Sequence, residues 1–165
     1  MLALLDRGLV LFAIPPGERG APRGPRTLLA TAEQVRANWR GGDNPAVACR
    51  PSRLVVFDLD RKHGVDGPAQ FRRLCVRLGV GLPVTLTVAT RTGLHVYFRV
   101  HTRDRFVSLP MPAPGVELRT PGLRRGGHVL APGAVVDGVR YTVALDAPIA
   151  ALPAPLAAVV PRAGE

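Results

Sequence analysis

Leu54 to Asp60 reads LVVFDLD, an apolar run rich in β-branched residues that ends in two carboxylates. Such a run predicts a central strand buried on both faces. Side chains two apart on a strand share a face, so Asp58 and Asp60 project together while Phe57 and Leu59 enter the opposite layer. Neighbouring carboxylates repel unless a cation lies between them, so this D-x-D points to a Mg²⁺ or Mn²⁺ site, with a purely structural pair as the alternative.

Downstream of that strand, Asp66 can cap a helix with Pro68 in its first turn. Phe71, Leu74, Cys75 and Leu78 follow at helical spacing before Gly79. Upstream, residues 2–14 read as a short helix, then Gly8, then a strand from Leu9 to Ile14 that runs into a loop from Pro15 to Arg26. Thr31 and Gln34 form a capping box for a helix through Trp39, which Gly41 and Gly42 stop. Strand signals then recur at Thr85 to Thr90, His95 to Val100, Gly115 to Thr120 and His128 to Ala131, and a hairpin is expected around Asp137-Gly138. Helices early and hairpins late give an α+β class, a mixed or antiparallel sheet with helices packed on it. The expected domain is 1–146, and the Ala/Pro-rich stretch 147–165 reads as a C-terminal tail or linker stump.

A chain of 165 residues fits one domain with one site. Its net charge of +10 and pI near 11.4 favour a polyanionic partner, nucleic acid or nucleotide. Lys62 is the only lysine, so an arginine-rich coding bias is the competing explanation of the charge. Cys49 and Cys75 fit neither a zinc spacing nor a disulfide framework, which suits a cytoplasmic protein. Asp6 and Arg7 interrupt the apolar start and Pro15 and Pro16 end it, so neither a signal peptide nor a membrane partner is expected.

The same parity places Glu117 and Arg119 of VELR on one face, and His95, Tyr97 and Arg99 of HVYFR on one face over a core of Val96, Phe98 and Val100. The polar faces of three strands could therefore converge into an acidic cluster flanked by His and Arg. Each strand alone also fits a solvated or locally satisfied side chain. The turn Arg91-Thr92-Gly93-Leu94 offers a hydroxyl and backbone amides to phosphate oxygens, and Lys62 and His63 follow closely on the D-x-D, within reach of phosphate.

The series FDLDRKHGVDGP, TRTGLHVYFR and GVELRTPGLRRGGHVLAPG, ending in DGVRYTV, resembles the bifunctional DNA primase/polymerase domain of the archaeo-eukaryotic primase superfamily. PPGERGAP, TAEQVRANW and NPAVACRPSRLVVFDLD extend the likeness over residues 2 to 145. The resemblance implies that Asp58 and Asp60 are metal ligands, that Thr92, Gly93 and His95 bind nucleotide phosphate, and that Glu117 supplies the remaining ligand. Gly126 to Pro132 would support the nucleotide pocket. This chain departs from the pattern in having one glycine in the second motif, Glu for Asp in the third and Arg19 for a lysine, with no zinc-binding insertion and no helicase following.

What the resemblance implies is a DNA primase/polymerase, a nucleotidyltransferase in replication of a plasmid, phage or integrated element. Asp58, Asp60 and Glu117 would be catalytic through two Mg²⁺ or Mn²⁺ ions. His95, Thr92, Gly93, Arg91, Arg119 and Lys62 would bind a dNTP or NTP. Single-stranded DNA template and primer, and a separately encoded helicase, are the expected partners. Competing readings are another D-x-D metal enzyme, a nuclease or nucleotide-sugar transferase, and an Arg-rich nucleic-acid-binding domain without activity.

Overall fold

A computed structural model describes residues 1–18, 20, 27–101, 106–109, 111–122 and 126–163. In chain order its elements are α1 (Leu2–Leu5), β1 (Leu11–Ile14), α2 (Ala32–Asn38), β2 (Asn44–Ala48), β3 (Leu54–Lys62), β4 (Val65–Asp66), α3 (Gly67–Arg77), β5 (Thr87–Ala89), β6 (Gly93–Arg99), β7 (Val116–Arg119), β8 (His128–Leu130), β9 (Val135–Val136), β10 (Val139–Arg140), β11 (Thr142–Leu145) and α4 (Ala154–Ala157). Arg19, positions 21–26 of the expected loop and positions 123–125 before Gly126 lie outside the described residues.

The LVVFDLD run forms the inner strand of a six-stranded sheet ordered β11-β5-β6-β3-β4, with β7 also on β3, and every pairing is antiparallel. Its alternation feeds two cores. Leu54 and Val56 pack with Tyr97, Val88, Leu11 and Val47 on one face. Val55, Phe57 and Leu59 pack with Phe98, Leu118 and the helical Phe71 and Leu74 on the other. A three-stranded antiparallel sheet, β1-β2-β8, covers the first face. Cys49 and Cys75 are buried in different cores, as two unlinked thiols.

Local chemistry sets the helix starts. The Asp66 side chain accepts from the Ala69 N–H at 3.0 Å, with Pro68 in the first turn of α3. Thr31 and Gln34 form both halves of the capping box on α2. The Asp137-Gly138 turn has φ of 49° and 78°, the left-handed pair that a two-residue hairpin requires.

The mixed α/β class with antiparallel sheets is as expected, with three differences in detail. β2 lies outside the strands expected from the sequence; its Pro45 stands second in the strand, where a missing N–H interrupts little of the ladder. Thr142–Leu145 forms a further strand on β5. The stretch from 147, expected as a tail, packs into the domain as far as Val160. Arg99 donates from its N–H to the Ala150 carbonyl at 2.8 Å, and its carbonyl accepts from Leu152 N–H at 2.9 Å. Leu156 and Val160 are buried in the second core. The Ala/Pro composition hid their spacing of four residues, which brings both side chains onto the sheet. Among the described residues no helix is long and apolar enough to cross a membrane.

Candidate active site

Asp58 pairs with His95 of β6 on one side and with Glu117 of β7 on the other, so the three side chains form a row across one sheet face. Asp60 lies two residues on, opposite Gly93. Deeper along the same face stand Val56 and Tyr97, so the first core closes the inner end of the acidic row. The outer end opens into a cleft of about 510 Å³, with Asp58, Asp60 and His95 on one wall and His128 and Leu130 of β8 on another.

Two side-chain cations stitch the carboxylates together. The Lys62 ammonium donates to Asp60 Oδ2 at 2.6 Å and to Glu117 Oε1 at 2.8 Å. Arg119 donates from Nε at 3.3 Å and Nη2 at 3.1 Å to Asp58 Oδ2, and from Nη2 at 2.8 Å to Glu117 Oε2. His95 Nε2 stands 3.4 Å from Asp58 Oδ1, long for a hydrogen bond. Burial pushes the Asp58 carboxyl up, but His95 and Arg119 together outweigh it and hold the group below the usual carboxylate range. The two carboxylates that Lys62 touches hold its ammonium well above the ordinary lysine value. Among the described residues no three His, Cys, Asp or Glu side chains stand as a ready-made metal cage; two side-chain cations lie between the acids instead.

The other residues singled out in the sequence meet varied fates. Thr92 donates its hydroxyl to Asp60 Oδ1 at 3.2 Å. Arg91 pairs with Asp137 of the hairpin turn at 3.4 Å and lines the cleft. Gly93 has a structural reason for being glycine: a Cβ there would lie 1.7 Å from the Leu59 carbonyl oxygen, so β6 could not approach β3. Gly93 and Leu94 belong to β6, which leaves a shorter turn than expected. Tyr97 is fully buried. Arg99 turns away from the cleft to the carbonyls of Ser52 and Arg7. His63 sits at φ 52° in the turn that links β3 to β4.

Sequence reasoning gave no role to Tyr141, whose ring meets His95 edge-on at 5.8 Å between centroids and lines the cleft. Burial, followed by the nearby Asp58 charge, pushes its phenol up. The signal was the hairpin turn at Asp137-Gly138, which returns the chain so that Tyr141 N–H bonds the Ala134 carbonyl at 2.8 Å. Val136 reaches the cleft from the same hairpin.

The model of the bifunctional DNA primase/polymerase N-terminal domain matches residues 1–155. The chain belongs to that family. Membership implies a DNA primase/polymerase type of activity, and so an enzyme of the nucleotidyltransferase type. No curated protein sequence matches the chain. The match passes through the acidic row and covers part of the stretch beyond residue 147, so the primase/polymerase domain and the packed unit overlap there.

Proposed function

We propose that this domain extends a nucleic-acid primer by metal-dependent transfer of nucleotides to a 3′-hydroxyl on a DNA template, in replication. The observation that carries the reading is the placement of Asp58, Asp60 and Glu117 on one sheet face, so close that single side-chain cations bridge them in pairs. Those pairs of hard carboxylate oxygens, already sharing a positive charge, fit Mg²⁺ or Mn²⁺.

Asp58, Asp60 and Glu117 would hold the ions. When bound, the two ions supply activation of the attacking hydroxyl and charge compensation for the leaving pyrophosphate. The protein's own part is position and electrostatics. Arg119 and Arg91 stand at the cleft wall, where they can neutralise a triphosphate, and His95 lies beside Asp58. Thr92 fixes Asp60 through its hydroxyl, a positioning role beside the phosphate-binding one that the family pattern implies. Val136 and Tyr141 give the cleft an apolar and aromatic side on which the nucleoside can rest. Exposed arginines would hold the template through its phosphates, with little base discrimination.

The test is incubation with labelled dNTPs or NTPs on primed and unprimed single-stranded DNA, with Mg²⁺ and with Mn²⁺. Template-directed extension in either metal supports the proposal. Shortening of the DNA would favour a nuclease, and template binding with no metal-dependent turnover would favour a binding domain without activity.

A further inference from the structure

Lys62 is the only lysine among 22 basic residues, and its ammonium lies between Asp60 and Glu117. Everywhere else the chain uses arginine, with its planar forked guanidinium; the lysine ammonium is a compact point charge on a flexible stem. Its contacts of 2.6 and 2.8 Å are charge-assisted and short. A divalent ion bridging the same two oxygens would have to occupy the same place. Lys62 and such an ion are therefore alternatives.

The second cation behaves differently. Arg119, the last residue of β7, is held by three bonds to Asp58 and Glu117, against one to each of two carboxylates for Lys62. Lys62 is the last residue of β3, paired only with the two-residue β4, and its side chain is 45% exposed. It can leave its carboxylates by rotating its own stem, with no change in the sheet. The direction open to it is the cleft, which it lines together with Arg91 and Arg119.

We infer that Lys62 is an internal counter-ion that keeps the place of a divalent ion between Asp60 and Glu117 and, when the ion enters, moves to the phosphates of the incoming nucleotide. This rests on the metal reading given above. Without an ion the ammonium offsets repulsion between the acids. With the ion bound it is repelled by the new charge and attracted by the triphosphate. Metal and nucleotide binding are thereby coupled through one side chain, and the coupling is reciprocal.

The experiment measures Mn²⁺ binding by the electron paramagnetic resonance signal of the free ion, with and without a non-hydrolysable deoxynucleoside triphosphate, for the parent, Lys62→Met and Lys62→Arg. Removing the competing charge should tighten Mn²⁺ binding by Lys62→Met about fivefold without nucleotide, the sum of two half-exposed ion pairs. The gain in Mn²⁺ affinity that the nucleotide gives the parent should shrink in Lys62→Met. Lys62→Arg, which keeps the charge, should stay nearer the parent in both. If the parent binds Mn²⁺ and Lys62→Met binds it no more tightly, the inference is overturned while the metal reading stands. If no protein binds Mn²⁺ with or without nucleotide, the metal reading fails and takes this inference with it.

Discussion

Asp58 and Glu117 are direct cross-strand partners, two carboxylates opposed across β3 and β7, and the Arg119 guanidinium touches both. Like charges so placed destabilise a sheet, and Asp58 is only 8% exposed. Arg119→Leu should therefore cost about 1–3 kcal/mol in denaturant unfolding, as expected for a buried charge that loses a main partner. Adding Glu117→Gln to that variant should restore part of the loss, because the repulsion disappears. A double variant no more stable than Arg119→Leu alone would mean that the opposed charges do not interact as described.

Gly93 lets β6 lie against β3 opposite Asp60. Gly93→Ala would drive its methyl into the Leu59 carbonyl, so unfolding should come about 3 kcal/mol or more earlier than in the parent. Gly81→Ala, which meets nothing within 4 Å, should change stability by about 0.5 kcal/mol or less. Equal effects at the two sites would remove the packing account of Gly93.

The Tyr97 hydroxyl is buried without a hydrogen-bond partner among the described residues. Burial, with smaller contributions from Cys49 and Asp58, holds its phenol well above the ordinary value of 10.0. A raised folded value means full stability below the unfolded value, lost progressively as pH rises above about 10. Tyr97→Phe should unfold at neutral pH with equal or up to about 1 kcal/mol greater stability, and should lose less between pH 9 and about 11. A steeper alkaline loss in the variant would contradict the assignment.

Leu156 is fully buried against the second core. Leu156→Ala should cost about 2–5 kcal/mol in thermal or denaturant unfolding, and a chain ending at Asp146 should be destabilised at least as much. Unchanged stability in both would make the stretch beyond 147 a tail after all.

Much of the arrangement was legible because strand parity is a strong constraint. Parity alone put Asp58 and Asp60 on one face and Glu117 with Arg119 on one face, and antiparallel pairing then joined the two rows. Asp66 and the capping box at Thr31 announced α3 and α2 in the same direct way. Other features depend on close approach between distant segments. The need for glycine at position 93 comes from the Leu59 carbonyl on the neighbouring strand, which no local pattern reports. That the Lys62 ammonium bridges from Asp60 to Glu117 depends on the register of β7, 55 residues away. Tyr141 enters the cleft only because a hairpin folds back onto His95.

Glu117→Gln keeps the side-chain size and removes one charge from the acidic row, so it separates metal-dependent turnover from template binding. Steady-state primer extension on a primed single-stranded template, with Mg²⁺ and with Mn²⁺, is measured alongside DNA binding at the same salt concentration. The account predicts extension lowered by about a hundredfold or more with DNA affinity nearly unchanged, as expected when an interaction of the transition state is lost. Extension by Glu117→Gln at close to the parent rate would contradict it, since the acidic row would then hold no ion that the reaction needs.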